Sequence, residues 1–220
     1  MLYIVSTPIG NLEDITLRAL RTLKEVDYIA AEDTRHTGLL RMKFEITTPM
    51  VSFHSYSSDE KLEMIISLLK EGKNVALVSD AGTPGISDPA YNLIKRAIEE
   101  EIQISPIPGA SSLLAAIVAS GMPMDKFLYL GFLPLKKGRQ TLFKSLEEEK
   151  RTLVIFEAPH RILKTLKDLE TYFGDRNIAV CRELTKIHEE FLRMKISEAI
   201  AHFTKKAPRG EFVLVVEGST

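Results

Sequence analysis

The residues with the most chemical character fall on a few short polar loops. Asp80, Gly82, Gly85 and Asp88 lie within the stretch Ser79–Pro89. The aspartate offers acceptors, and the two glycines let the backbone come close to a ligand. Glu32-Asp33-Thr34-Arg35 sets two carboxylates beside a guanidinium, so a proton acceptor could stay ionised next to an anion-binding group. Pro106-Ile107-Pro108-Gly109-Ala110-Ser111-Ser112 precedes an apolar helix, Leu113–Ala119. The free N–H groups at that helix start, with Ser111 or Ser112 as cap, suit a carboxylate or another anion. Lys136, Lys137 and Arg139 gather positive charge on a Gly/Pro loop that could meet RNA phosphates or be a solvated turn.

Other chemistries find little support. The 5 histidines show no metal-ligand spacing, and His188-Glu189-Glu190 is not a zinc helix motif. The single cysteine, Cys181, stands without a Ser/His/Asp order, so no nucleophilic enzyme emerges. Ser6-Thr7-Pro8-Ile9-Gly10-Asn11 lacks the glycine spacing of a dinucleotide fingerprint, and no phosphate-loop lysine follows. A nucleotide held by its phosphates is therefore disfavoured.

Periodicity supplies the elements that must carry these loops. Apolar runs at Leu2–Val5, Tyr28–Ala31, Met50–Phe53, Val75–Val78 and Ile102–Ser105 read as strands. Helical spacing marks about Asp14–Lys24, with Leu17, Leu20 and Leu23 on one side, and a helix carrying Leu62, Ile65, Ile66 and Leu69. Ser57 and Glu60 have capping-box spacing for the latter, and Asp88-Pro89 starts another helix. Glu32–Thr37 reads as a loop. This half is a parallel sheet covered on both faces, and in such sheets ligands bind outside the carboxyl ends of the strands. The stretch from Ser79 is also too long for an ordinary connection of about 2–6 residues, so it reads as a binding loop.

Gly121-Met122-Pro123 breaks the pattern and marks the expected division, 1–120 and 121–220. Strands at Phe127–Phe132, Leu153–Phe156, Ile178–Cys181 and Phe212–Val216 follow, with helices after Glu157–Arg161 and near Ser197–Lys205. They form a smaller α/β domain with a mixed sheet. The fold class is thus α/β, in two domains.

Bulk properties agree with a globular chain. Its 220 residues are 45% hydrophobic and 27% charged, with formal net charge −1, so an RNA partner would need a local basic patch. One cysteine excludes an internal disulfide and fits a reducing compartment. No secretory signal is visible, and the apolar run near Leu113–Val118 is too short to span a bilayer. A cytoplasmic protein is expected.

Seven motifs in order carry a resemblance: residues 6–14, 31–35, 79–89, 106–110, 131–134, 157–161 and 182–186. The chain resembles the tetrapyrrole methylase superfamily over nearly its whole length, in the branch that acts on ribosomal RNA. Ala90 and His54-Ser55-Tyr56-Ser57 depart from that branch's pattern. The resemblance implies two α/β domains of the tetrapyrrole methylase type, with the cofactor cleft between them, and a homodimer. It also implies S-adenosyl-L-methionine as cofactor, and 2'-O-methylation of a cytidine in the decoding region of small-subunit (16S) rRNA. The substrate would be the rRNA or the 30S ribosomal subunit, with no membrane and no metal. Carried over by motif, cofactor contacts fall on Pro8, Ile9, Asp80, Thr83, Ala110, Ser111 and Ser112, and on Ala158, Pro159 and Gly210. Asp33 or Glu32, with Arg35 to orient them or the adjacent phosphate, are the candidate catalytic residues. Rival readings are methylation of a tetrapyrrole-like small molecule or a protein side chain, and a non-catalytic RNA-binding module.

Overall fold

A computed structural model describes residues 1–54, 59–87 and 90–219. Ser57 and the Asp88-Pro89 helix start lie outside the described residues. The chain divides into two compact units, Met1–Ser111 and Ser112–Thr220.

In the first unit the strands are β1 (Leu2–Val5), β2 (Tyr28–Ala31), β3 (Met50–Ser52), β4 (Val75–Val78) and β5 (Ile104–Ile107). The helices between them are α1 (Leu17–Glu25), α2 (Thr34–Phe44), α3 (Asp59–Lys70) and α4 (Ala90–Glu99). The sheet order is β3-β2-β4-β1-β5, with every pairing parallel. Alternate residues of one strand serve two cores. Leu77 joins Ile65, Ile66, Leu69, Leu93 and Ala97 of α3 and α4, whereas Ala76 and Val78 join Ala19, Leu23 and Leu40 of α1 and α2. That is why Val75–Val78 is apolar at every position: a strand covered on both faces has no solvent side.

The helices follow from their order in the sheet. Connections running from β1 to β2 to β3 move one way across it, and those from β3 to β4 to β5 move the other. Right-handed crossovers then put α1 and α2 on one face and α3 and α4 on the opposite one. The loops after β1 and β4, adjacent strands, therefore leave toward opposite faces.

Three local expectations change. Helix α1 begins at Leu17, not Asp14, because Thr16 caps it by accepting from Ala19 N at 3.0 Å, while Leu12–Asp14 forms a separate 3-10 turn. Leu17 is 87% exposed, so the face toward the core is Ala19, Thr22 and Leu23. The segment read as a loop after β2 instead opens α2, with Asp33 as N-cap.

The second unit contains α5 (Ser112–Ser120), β6 (Phe127–Phe132), α6 (Arg139–Ser145), β7 (Thr152–Glu157), α7 (Ile162–Phe173), β8 (Asn177–Arg182), β9 (Glu190–Lys195), α8 (Ile196–Lys205) and β10 (Phe212–Val216). Its sheet order is β6-β7-β10-β8-β9, with β6 and β7 parallel and the other pairs antiparallel. Ile155, Val180, Leu214 and Val216 meet Phe143, Leu166, Leu169, Ala199 and Phe203 of α6, α7 and α8 in one core.

The division expected after residue 120 falls earlier, because α5 lies against β8, β9 and β10. Arg193 of β9 donates to Ser120 O at 3.2 Å, and Cys181 Sγ lies 3.9 Å from Ala116 O. Burial there pushes the Cys181 thiol up to about 12, so it stays protonated and inert. Among the described residues no helix is long and apolar enough to cross a membrane.

Two leucines of α1 separate surface from core. Leu23→Ala, at a fully buried position, should cost about 2–5 kcal/mol in denaturant unfolding. Leu17→Ala should change stability by under about 0.5 kcal/mol.

Candidate functional site

The strand ends of the first unit are stitched together by short polar contacts. Thr7 N donates to Gly82 O at 2.9 Å and Gly82 N returns the bond to Thr7 O at 3.1 Å, joining the β1 and β4 loops just beyond the sheet. Thr7 Oγ1 donates to Ser79 O at 3.2 Å. Ser6 Oγ and Thr83 Oγ1 lie 2.8 Å apart, and Thr83 Oγ1 also donates to Ala110 O at 3.3 Å. The loops after β1, β4 and β5 therefore converge.

Close approach explains two glycines. A Cβ on Gly109 would stand 2.9 Å from Ser6 Cβ, inside van der Waals contact. Gly82 has φ +79, and a Cβ there would meet Ile9 Cγ2 at 3.3 Å. Pro8, Ile9, Asp80, Thr83 and Ala110 thus belong to one cluster at the carboxyl end of the sheet. Ser111 closes this unit and Ser112 opens α5. Ser6 and Thr7 were not singled out from the sequence, although they lie in its first motif. Both are buried polar residues, and their hydroxyls hold the loops to one another.

Asp80 joins the first cluster to the acidic one. Its Oδ1 accepts from Asp33 N at 2.9 Å, and Asp80 N donates to Glu32 Oε2 at 3.4 Å. The end of β2 is therefore held against the β4 loop by two reciprocal bonds.

Asp33 is already committed. Its Oδ1 caps α2 through Arg35 N at 2.8 Å, and the Arg35 guanidinium grips both oxygens, with Nη2–Oδ2 at 2.6 Å. The side-chain bond from Arg35, reinforced by the backbone one, holds this carboxyl far below the usual carboxylate range, and Asp33 in turn raises Arg35. An acid so weakly basic is a poor proton acceptor. The other candidate carboxylate, Glu32, instead accepts from the Asp80 amide.

In the second unit the end of β7 carries a buried network. Glu157, with a fully buried side chain, accepts from Ala158 N at 2.9 Å and from Thr165 Oγ1, and pairs with Arg161 Nε at 3.0 Å. Thr165 Oγ1 receives Arg139 Nη2 at 2.8 Å, Arg139 Nε meets Asp168 at 2.8 Å, and Nη1 donates to Pro134 O at 3.0 Å. Arg139 is 5% exposed, with each of its three nitrogens bonded inside the protein, so it cannot reach RNA phosphates. This corrects the sequence expectation: Lys136 and Lys137 are exposed, but the third cation is an internal clamp. Arg161 donates to Leu133 O, so two guanidinia fix the start of the loop to the strand end bearing Ala158 and Pro159.

Gly210 lies on a second tight turn. With φ +88, a Cβ there would fall 2.6 Å from Glu183 Cγ. Glu183 Oε1 accepts from Glu211 N at 2.9 Å and from Lys186 Nζ at 3.2 Å. The Arg182–Lys186 motif thus wraps this turn, and its backbone bends to do so, with Glu183 at φ 50 and Thr185 at φ 66. Among the described residues no group of three or more His, Cys, Asp or Glu could hold a metal.

The clamp on Asp33 has a defined pH signature. Its folded pKa is depressed, so its contribution is present above the unfolded carboxylate value of about 3.9 and is lost as pH falls through the lower folded value. Arg35→Ala should therefore lower stability more at pH 7 than near pH 2, read as denaturation midpoints of parent and variant at both.

Comparison with known proteins agrees with this geometry. A family model described as "Tetrapyrrole (Corrin/Porphyrin) Methylases" matches residues 1–200. A Thermotoga maritima protein called ribosomal RNA small subunit methyltransferase I is 53% identical, covering 99% of this chain and 98% of its own. A Synechocystis protein with the same name is 52% identical, covering 100% of this chain and 80% of its own. The crystal structure of uroporphyrin-III-C-methyltransferase from Thermus thermophilus matches with a TM-score of 0.69 at 20% identity, over 98% of this chain and 93% of that one. At that identity it shows the fold alone. The parallel sheet, the mixed second sheet and the family match together place the chain in the tetrapyrrole methylase family.

Proposed function

We propose that this protein transfers a methyl group from S-adenosyl-L-methionine to small-subunit ribosomal RNA, at the ribose 2'-hydroxyl of a cytidine in the decoding region. The observation that carries the reading is similarity of about half of all positions, over essentially the full chain, to relatives named for methylation of that RNA. The strand-end cluster fits the cofactor. It presents hydroxyls, backbone carbonyls and the Asp80 carboxylate, whose Oδ2 makes no hydrogen bond among the described residues. Those groups suit an amine and ribose hydroxyls, and the cluster has no lysine of a phosphate loop. Pro8, Ile9, Asp80, Thr83, Ala110, Ser111 and Ser112 are the proposed cofactor residues of the first unit. Ala158, Pro159 and Gly210 are those of the second. The protein is proposed to act in the cytoplasm as a homodimer, on rRNA or the assembled 30S subunit.

When bound, the cofactor supplies an electrophilic methyl group on a sulfonium. The work left to the chain is alignment and proton removal. Alignment comes from backbone-built loops that close contacts leave little room to shift, and positioning alone can account for much of such a rate. Glu32, at the end of β2 and bonded to the Asp80 amide, is the proposed acceptor for the hydroxyl proton. Asp33 holds Arg35, whose side chain is 89% exposed and open to an incoming phosphate.

Single-turnover transfer to small-subunit particles at saturating labelled cofactor tests the reading, with free tetrapyrrole as a parallel acceptor. Label in 16S rRNA, on the 2'-oxygen of one cytidine, is expected. Label only in the tetrapyrrole or only in protein would overturn the substrate, and no label at all would leave a binding module. Within a positive assay, Glu32→Gln should slow transfer about 10²–10⁴-fold with cofactor affinity kept. Asp33→Asn should act mainly through a weakened cap and a loosened Arg35. A Glu32→Gln rate within a few-fold of the parent would remove Glu32 from the chemistry. Asp80→Ala should weaken cofactor binding in calorimetry, and unchanged affinity in a folded variant would remove it from the site.

A further inference from the structure

The cationic loop of the second unit does not stand alone. A groove of about 350 Å³ runs between it and α7, and both Lys136 of the loop and Lys164 of the helix line it. Both are exposed, and among the described residues neither forms an ion pair. Asp168 also lines the groove, but Arg139 neutralises it at 2.8 Å from within the protein. Two uncompensated positive charges therefore face one cavity, on a chain whose formal net charge is −1. The remaining walls carry neutral polar groups, Gln140 and Thr141, and the Tyr172 ring, held by stacking on Phe143 at 5.3 Å. A cationic track with polar and aromatic walls is the chemistry that binds single-stranded nucleic acid.

We propose that this groove is an RNA-backbone site, with one or two phosphates between Lys136 and Lys164 and a sugar against Gln140, Thr141 and Tyr172. The proposal rests on the rRNA reading above and adds the surface on which the RNA would lie. Arg139 gives the groove its sign and its shape. By pairing with Asp168 it cancels the one acidic wall, and by bonding Pro134 O it holds the Lys136 loop beside α7. Lys164 could not be recognised in sequence as part of this patch, because it belongs to a different element from the Lys136 cluster.

Binding of small-subunit particles measured across a salt series tests this directly. Each phosphate contact contributes a slope of about 0.7–0.9 in log affinity against log salt. Lys164→Gln and Lys136→Gln should each reduce the parent's slope by about that amount, and the double variant by about twice it. Cofactor affinity by calorimetry should be unchanged in all three. Lys205→Gln, at the exposed end of α8, should keep the parent's slope. If the parent binds and methylates particles but Lys164→Gln keeps the full slope, the groove is not an RNA site and the rRNA reading survives. An equal loss in Lys205→Gln would also overturn the groove, by showing a diffuse charge effect. If the parent neither binds nor methylates particles, the reading falls and the groove with it.

Discussion

Everything at the candidate site of the first unit depends on two backbone bonds between Thr7 and Gly82. Strands β1 and β4 run parallel, so their chains leave the sheet side by side and would diverge to opposite faces. The reciprocal pair holds the two departing loops together for one more step. Once they are joined, Ser6 reaches Thr83, Thr83 reaches Ala110, and Gly109 must lie where only a hydrogen fits against Ser6. The site is built mostly of main chain and small hydroxyls. Its shape is fixed by close contact rather than by long side chains with freedom to rotate.

The second unit solves a different problem. A polar loop rich in glycine and proline has little apolar area to hold it, and here charge replaces area. Arg139 and Arg161 reach the loop's first two carbonyls from a network anchored on the buried Glu157. Burying a carboxylate is costly unless its lone pairs are met, and Glu157 meets them with a guanidinium, a hydroxyl and a backbone amide. The exposed lysines are then mounted on a rigid base.

How much of this was visible in the sequence follows from the kind of signal each element sends. Val75–Val78 and its long glycine-bearing loop could be read because a doubly covered strand is apolar throughout and its loop is conspicuously polar. Helix α2 could not, since it buries only Thr37 and Leu40 while leaving Leu39 and Met42 at the surface. Its apolar positions have no helical period. Strand β9 was hidden by its place at the sheet edge, where Glu190, Arg193 and Lys195 interrupt the apolar residues. Arg139 shows the limit for single residues. An arginine beside two lysines reads as surface, and only the carbonyl, hydroxyl and carboxylate waiting for it in three dimensions place it inside.

The register of the parallel sheet also bears on how the chain acquires its structure. Leu2 of β1 aligns with Val75 on one side and with Ile104 on the other. The earliest strand in the chain is thus a central one whose partners come last. During synthesis β1 must wait with both edges unpaired until β4 has emerged, and with one edge still open until β5 follows. Long-range parallel pairing of this kind is slow, and unpaired apolar strands invite association in the interval. The first unit is therefore expected to fold late and cooperatively, and its nascent β1 is the segment most in need of a chaperone's shelter.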